Sequence, residues 1–314
     1  MHLLLIHDLS SNIMIETVCG SISKDQLGIT MSHEHLILDL RAVRSDEESY
    51  ITDIYEVIAE IMPLKKYHIK SFIELTTNDM GRDVRKLIKI SKLTGFHIIC
   101  ATGFYLEAYH SKWLKEASVE EIAELFTKEI TIGIAETNVK AGLIGEIATS
   151  YNHIYPSEEK VFEAAAKVSS KLGCPISTHC DMGTMGDVQS DLLIKGGVIP
   201  DKIILGHMDL NLNLIYHKNL LKKGVNLAFD TVSKTKYNSD EARANHLKKL
   251  LDLGYEDHLL LSQDVSRRSY FKKFNNQGYE AVMEYFLDLL RKEHVTETQI
   301  EKLLIKNPAR ILDY

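Results

Sequence analysis

Short apolar or β-branched segments alternate with longer amphipathic segments along most of the chain. The short segments predict buried strands, and apolar positions that recur every three or four residues in the long segments predict helices. Several helical segments begin at Ser or Asp and end at Gly, as in Ser157 with Gly173. The predicted strands are residues 28–35, 70–76, 97–102, 142–148, 175–179, 202–207, 225–230 and 258–264. The predicted helices are residues 52–67, 82–95, 118–134, 157–172, 184–196, 211–224, 239–253, 277–292 and a short one at 297–305.

Eight strands that are each followed by a helix are typical of a (β/α)8 TIM barrel in the α/β class. A doubly wound open sheet is the competing fold, because strand counts from one sequence are often wrong by one or two. No low-complexity segment or Pro/Gly-rich linker interrupts the chain, so we predict one domain over residues 1–314. Residues 1–25 are expected to form an N-terminal lead-in with a short hairpin that closes the barrel bottom, and residues 26–314 the barrel.

Composition narrows the choice of partners. The chain has 37 Lys and Arg against 44 Asp and Glu, and a net charge of −7 argues against nucleic acid or an anionic membrane as the main partner. No apolar run approaches the roughly 18 residues of a membrane span. The apolar residues 1–6 lack a basic flank and soon meet Asp8, so no secretory signal is predicted. The four cysteines lack CxxC spacing, which indicates free thiols and a cytoplasmic protein.

Side chains at the C-terminal ends of barrel strands meet in one cavity. His33 and His35 are two residues apart on the first predicted strand, so both face the same side and could reach one metal ion. Taken alone, the pair is equally consistent with two histidines that bind no metal and are either hydrogen-bonded in the core or exposed to solvent. Glu146 lies inside the apolar run 143–148, where an unpaired charge would cost several kcal/mol, so a cation or a salt bridge across the barrel must compensate it. The ends of the fifth, sixth and eighth predicted strands add His179, His207 and Asp264.

Four histidines and two carboxylates at five strand ends form the ligand set of a two-metal hydrolytic centre. A hydroxide that bridges two ions would attack a carbonyl or phosphoryl centre, and Asp264 could take the proton and pass it to the leaving group. These ligands suit two zinc ions, with manganese or cobalt tolerated. Asp209 either orients a ligand or is a solvated loop residue. Six other histidines are interpreted as surface or capping residues: His97, His110, His153, His217, His258 and His294.

Several motifs together identify a family. They run from 28–35 (GITMSHEH) through 81–83 (GRD), 101–105 (ATGFY), 175–179 (PISTH), 206–209 (GHMD), 261–264 (LSQD) and 267–269 (RRS) to 307–310 (NPAR). On these motifs the chain resembles the phosphotriesterase family of the amidohydrolase superfamily, and within it the branch of the phosphotriesterase homology proteins. The resemblance implies a buried ion held by His33, His35 and Asp264, a more exposed ion held by His179 and His207, and Glu146 as the bridge between them.

The chain departs from the family pattern on the fourth strand. Much of the wider family bridges its ions there with a carbamylated lysine, whereas this chain has Glu146 and no lysine between Lys140 and Lys160. A carbamate bridge is therefore not expected, and organophosphate-degrading activity does not carry over. Relatives of this type are often dimers, so the resemblance implies a homodimer.

Basic and tyrosine side chains crowd the loops after the seventh and eighth predicted strands. These loops are neighbours at the catalytic face of a barrel, and that corner is a frequent phosphate site. The candidate substrate contacts are Lys234, Lys236, Tyr237, Arg267, Arg268 and Tyr270, with Lys236, Arg267 and Tyr270 preferred. Alternatively, the two arginines pair with acidic neighbours and the lysines are solvated. The first interpretation predicts a small anionic substrate, most simply a phosphorylated sugar lactone, and the pattern resembles phosphorylated-lactone hydrolases of this family.

The sequence leaves two other functions open. One is a metal-dependent phosphodiesterase or nuclease, against which the acidic net charge counts. The other is a metal-binding barrel without catalysis, although a degenerate site has no physical need to keep all six ligands. The leading prediction is a binuclear metal hydrolase that acts on a small ester or lactone.

Overall fold

The computed structural model describes residues 14–314. Residues 1–13 lie outside the described residues, and with them the segment on which the prediction of no secretory signal rests. The strands are β1 Met14–Thr17, β2 Gly20–Ser23, β3 Ile29–Glu34, β4 Leu38–Asp39, β5 Tyr50–Ile51, β6 Ile69–Glu74, β7 His97–Thr102, β8 Leu143–Thr149, β9 Ile176–Cys180, β10 Ile203–Leu205, β11 Asn226–Phe229 and β12 Leu259–Leu261.

Eight of these strands form one sheet, in the order β12-β11-β10-β9-β8-β7-β6-β3. All neighbouring pairs in the sheet are parallel. The spatial order follows the chain order without a reversal, whereas a doubly wound sheet reverses at its switch point. The prediction of a (β/α)8 TIM barrel is therefore confirmed.

The barrel closes along a seam between β3 and β12, which are the two ends of the hydrogen-bonded order. One backbone hydrogen bond crosses the seam, from Asp264 N–H to His33 O at 3.2 Å. The other hydrogen bonds across it each involve a side chain. These run from Ser32 Oγ to Leu261 O (2.9 Å), from Ser262 Oγ to His33 O (2.8 Å), and from the N–H groups of Gln263 and Val265 to the Glu34 carboxylate (3.1 and 3.0 Å).

Helices surround the barrel, and α4 shows why they begin and end where they do. The Asp83 side chain accepts a hydrogen bond from Lys86 N–H at 3.0 Å, and Gly95 ends the helix in a left-handed conformation with φ 74°. The helices are α1 Lys24–Leu27, α2 Arg41–Arg44, α3 Ile54–Ile61, α4 Val84–Thr94, α5 Lys112–Glu116, α6 Val119–Thr131, α7 Pro156–Leu172, α8 Gly186–Lys195, α9 Leu214–Leu221, α10 Asp240–Asp252, α11 Leu287–Lys292, α12 Glu297–Glu301 and α13 Asn307–Ile311. Of the helices that the structure describes, none combines the length and hydropathy needed to span a bilayer.

Two further regions stand outside the repeating pattern. β1 and β2 pair as an antiparallel hairpin, and their Ile15 and Ile22 share a buried cluster with Ile99 and Leu143 of the barrel. The hairpin therefore packs at the end of the barrel where the strands begin. At the opposite end, the loop after β3 contains α2 and the antiparallel pair β4–β5, and the loop after β7 contains α5. These elements are too short to produce a hydrophobic period, and the sequence did not predict them.

Candidate metal centre

The six side chains that the sequence singled out as ligands converge at the mouth of the barrel. His35 Nε2 lies 3.4 Å from Glu146 Oε1 and 3.2 Å from Asp264 Oδ1. Glu146 Oε2 lies 3.4 Å from the nearest ring nitrogen of His33. The same carboxylate oxygen lies 3.3 Å from His179 Nδ1 and 3.6 Å from His207 Nε2.

Backbone conformation aims several of these side chains. His207 follows β10 and Asp264 follows β12 in left-handed conformations, with φ 58° and 48°, and both side chains line the mouth. Such conformations cost of the order of 1–3 kcal/mol and are concentrated at functional sites. Gly145 has φ 143°, and a Cβ there would collide with the carbonyl oxygen of Ser177 on β9. Only glycine therefore allows β8 to present Glu146 so close to its neighbour.

Among the described residues, three sets of donor atoms lie within 4.8 Å of one another, and two of these sets share Glu146. His33, His35 and Glu146 form the first, and Glu146, His179 and His207 form the second. The third consists of His33, His207 and Asp230. His33 Nε2 and Glu146 Oε2 are buried and have no hydrogen-bond partner among the residues that the structure describes. A buried carboxylate oxygen that faces imidazole nitrogens without bonding to them is stabilised by a cation between them. The residues present therefore fit a pair of metal ions.

The ionisation of the centre depends on its carboxylates. Burial lowers the pKa of His35, but Asp264 and Glu146 outweigh burial and raise that pKa to about 9. Burial likewise lowers the pKa of His207, and Asp230 raises it to about 10. In the absence of a cation, these imidazoles hold protons at neutral pH. Because a metal ligand must be a neutral imidazole, metal binding has to release these protons.

Asp230 orients histidines of the two sets that share Glu146, and the sequence reasoning gave it no role. Its Oδ1 lies 2.8 Å from His207 Nδ1 and accepts a hydrogen bond from His207 N–H at 2.9 Å. Its Oδ2 lies 2.8 Å from His33 Nδ1. One carboxylate thus holds two rings with their Nε2 atoms toward Glu146. The signal was available, because Asp230 ends an apolar strand just as Glu146 interrupts one.

Asp209 holds Asp230 in position through hydrogen bonds to the backbone and to the neighbouring Thr231. It is fully buried, and its carboxylate accepts hydrogen bonds from Asp230 N–H at 3.2 Å and from Thr231 Oγ1 at 2.6 Å. Arg243 Nε donates to the same carboxylate at 2.9 Å. The alternative that Asp209 is a solvated loop residue is therefore wrong.

Two of the histidines interpreted as surface or capping residues are in fact buried. His217 is fully buried, and its Nδ1 lies 2.9 Å from His246 Nε2. His110 is also buried, and its ring nitrogens face Ser157 Oγ and Tyr105 O, each at 2.9 Å. The surface interpretation is wrong for both, because a polar sequence neighbourhood does not reveal a partner that is distant in the chain.

A cavity of about 280 Å³ opens above the centre. Of the predicted substrate contacts, the cavity is lined by Lys234, Lys236, Tyr237, Arg267 and Tyr270. Lys234 is buried and contacts the Asp264 carboxylate. Arg268 does not line the cavity and pairs with Glu56 at 2.8 Å, which is the alternative that the sequence left open. Arg267 lines the cavity while its Nη1 lies 3.0 Å from Asp46 Oδ2.

Other residues that line the cavity were not predicted. Tyr105 comes from the loop after β7, and its hydroxyl lies 3.4 Å from His179 Nε2. Arg44 comes from α2, and Asp181 follows β9. The 101–105 motif marked Tyr105 without indicating its role. Arg44 lies on a four-residue helix inside a loop, where the sequence pattern carries no signal.

Comparisons with known proteins agree with this geometry. The sequence model of the Phosphotriesterase family matches residues 13–312. The phosphotriesterase homology protein of Escherichia coli (strain K12) is 34% identical over 288 residues, covering 92% of this chain and 99% of that protein. The phospho-furanose lactonase of Mycoplasmopsis synoviae (strain 53) is 32% identical over 329 residues, covering 96% of this chain and 92% of that protein. A crystal structure of the Escherichia coli homology protein, complexed with phosphate in its active site, aligns with a TM-score of 0.89 over 92% of this chain and 99% of that chain.

Proposed function

The chain belongs to the Phosphotriesterase family, and we propose that it hydrolyses the ester bond of a phosphorylated sugar lactone at a centre of two divalent cations. The observation that carries this proposal is the composition of one cavity. Its floor is the cluster of histidines and carboxylates, and its wall presents Lys236, Arg267 and Tyr270. A substrate with a cleavable ester at one end and a phosphate at the other would place the ester at the floor and the phosphate at the wall.

His33, His35 and Asp264 would hold one cation, His179 and His207 the other, and Glu146 would contact both. When bound, such cations supply Lewis acidity and lower the pKa of a water molecule toward neutrality. Zinc suits this donor set of imidazoles and carboxylates, and manganese or cobalt is tolerated.

Asp264 would move the proton in this reaction. Burial raises the pKa of Asp264, but Lys234 and His35 outweigh burial and bring that pKa below its ordinary value. The carboxylate is therefore ionised at neutral pH and can accept a proton. Asp264 lines the cavity, with its Oδ1 3.2 Å from His35 Nε2, and from there it would pass the proton to the departing oxygen of the ester.

The wall of the cavity would orient the substrate. A guanidinium can contact two phosphate oxygens at once, an ammonium contributes a point charge, and a tyrosine hydroxyl donates one hydrogen bond. One relative is named a phospho-furanose lactonase, and a lactonase of that name acts on a phosphorylated sugar lactone. This similarity supports a phosphorylated substrate here.

The test compares a sugar lactone with its 5-phosphate ester as substrates for the wild type, Arg267→Ala and Arg268→Ala. We expect the wild type to prefer the phosphorylated lactone. Because Arg267 is partly exposed, its loss should cost about 2 kcal/mol in transition-state binding, or roughly 30-fold in kcat/KM for that lactone. Arg268→Ala removes an equal charge outside the cavity and should leave the preference intact. Equal turnover of the two lactones by the wild type would show that the enzyme does not recognise an anionic substrate.

A further inference from the structure

Arg44 is a cation in the cavity wall that has no ion-pair partner in the described part of the chain. It ends α2 in the loop after β3, and its side chain lines the cavity. Within residues 14–314, every arginine except Arg44 and Arg85 forms an ion pair with a carboxylate. Arg85 is exposed on α4 and lies outside this cavity. Arg44 is therefore the arginine of the cavity whose counter-ion has to come from a ligand.

The surroundings of Arg44 keep it charged and restrict its position. Burial lowers the pKa of Arg44, but the nearby Tyr105, Tyr109 and Asp264 together outweigh burial and raise that pKa above its ordinary value. Tyr105 and Tyr270 line the same cavity as Arg44. A half-buried guanidinium beside these aromatic side chains has lost part of its hydration without gaining a carboxylate at ion-pair distance among residues 14–314. An anionic ligand at this place would stabilise it.

The loop that carries Arg44 also provides the carboxylate that pairs with Arg267. Asp46 Oδ2 lies 3.0 Å from Arg267 Nη1, while Asp46 Oδ1 accepts a hydrogen bond from Ser49 N–H at 2.8 Å. The segment Glu47–Ser49 packs against Arg268–Tyr270, so the loops after β3 and β12 adjoin above the seam. Of the two guanidinium groups that line the cavity, Arg267 is partly neutralised and Arg44 is not.

We propose that Arg44 binds the phosphate of the substrate together with Arg267 and sets the preference of the cavity for a doubly charged anion. Two guanidinium groups can together contact more than one edge of a phosphate. Arg44, Arg267 and Lys236 carry three positive charges and Asp46 removes one, so the charge of +2 that remains matches a dianion. This inference rests on the proposed function, because it assigns Arg44 to the phosphate of that substrate.

The test measures the binding of D-ribose 5-phosphate to the metal-loaded enzyme by isothermal titration calorimetry. Arg44→Gln removes the charge at nearly constant size, and Arg44→Lys keeps the charge without the planar fork. Arg41→Gln is the matched control, because Arg41 lies on the same helix, pairs with Asp39 at 2.9 Å and does not line the cavity. Thermal unfolding of each variant verifies that it is folded.

We expect Arg44→Gln to weaken binding of D-ribose 5-phosphate at least tenfold, Arg44→Lys to weaken it less, and Arg41→Gln to match the wild type. Folded Arg44→Gln that binds this ligand as tightly as the wild type would overturn the inference, since the phosphate would then depend on the cations or on Arg267 alone. Binding that depends on Arg44 in an enzyme that hydrolyses neither lactone would support the phosphate site and refute the proposed reaction.

Discussion

The replacement Asp230→Asn should separate the two proposed metal ions. Asp230 contacts both imidazoles through different oxygens, with Oδ1 at 2.8 Å from His207 Nδ1 and Oδ2 at 2.8 Å from His33 Nδ1. Oδ1 also accepts the His207 N–H at 2.9 Å. An asparagine would keep its carbonyl oxygen at this position, because the amide nitrogen cannot accept a hydrogen bond. Its Nδ2 would then face His33.

This amide forces a change of tautomer on one ring. An N–H group beside His33 Nδ1 fits only if that nitrogen carries no proton, so the proton moves to Nε2. In the present arrangement Nε2 is the nitrogen that faces Glu146, and a protonated nitrogen cannot bind metal. His207 keeps its acceptor and its tautomer. The ion of His33 and His35 should therefore be lost first, while the ion of His179 and His207 is retained.

The loss of one partner that orients a ligand lowers metal affinity by about 10–100-fold, or about 1.4–2.7 kcal/mol. Elemental analysis after dialysis against buffered free zinc should show a fall from about two ions per chain to about one in the variant. Anomalous scattering from crystals of the variant would identify the ion that remains. Asp25→Asn, an exposed carboxylate on α1, serves as the control. Retention of both ions with unchanged affinity, or loss of the His179–His207 ion first, would refute the reasoning.

Four further outcomes follow from the structure. Glu146→Gln should weaken retention of both ions by an order of magnitude or more, measured as metal content after dialysis, because two of the donor sets share this carboxylate. Paraoxon should be a poor substrate in a direct hydrolysis assay, because a neutral phosphotriester suits an apolar pocket and this cavity is charged. Asp46→Asn should tighten the binding of D-ribose 5-phosphate in calorimetry, because it removes the counter-ion of Arg267 and keeps the oxygen that caps Ser49. Burial lowers the pKa of His217 to about 3 and of His246 to about 4, so both are neutral when folded and take up protons on unfolding below pH 6.5. Stability should therefore fall as the pH is lowered, by roughly 2–4 kcal/mol between pH 7 and 5 in urea unfolding, and the double variant His217→Gln/His246→Gln should lose this part of the pH dependence.

Each of these outcomes has a result that contradicts it. Full metal content in Glu146→Gln would exclude its bridging position, and efficient turnover of paraoxon would exclude a pocket restricted to anions. Unchanged phosphate binding in Asp46→Asn would mean that Arg267 does not face the ligand. If the double histidine variant showed the same difference between pH 7 and pH 5 as the wild type, the buried pair would not be responsible for acid sensitivity.

The strands and the six proposed ligands could be found from the sequence because each leaves a local signal. A buried parallel strand is an apolar run, and a charged residue such as Glu146 inside the run 143–148 is visible at once. The bounds of β7 agree with the predicted 97–102, whereas β12 is shorter than the predicted 258–264, because the chain turns at the end of the strand to place Asp264.

Residues whose function depends on contacts distant in sequence left no such signal. Arg44 is a charged residue on a short helix, and its sequence neighbours do not show that Arg267 and Tyr270 line the same cavity. The difference between Arg267 and Arg268 has the same origin. They are adjacent in sequence, and only the packing of two loops decides that one lines the cavity and the other pairs with Glu56.

Because the barrel closes between β3 and β12, its first and last strands, the order in which the strands fold decides when the enzyme can become active. His33 and His35 lie on one side of this seam and Asp264 on the other, so an ion held by all three would span the first and last barrel strands. Contacts between segments so distant in sequence form late in folding. A chain still emerging from the ribosome, or one cut before β12, would possess the histidines and lack the closing carboxylate. Uptake of the ion held by His33, His35 and Asp264 would then mark a finished barrel, and hydrolysis would be withheld from every incomplete copy of the enzyme.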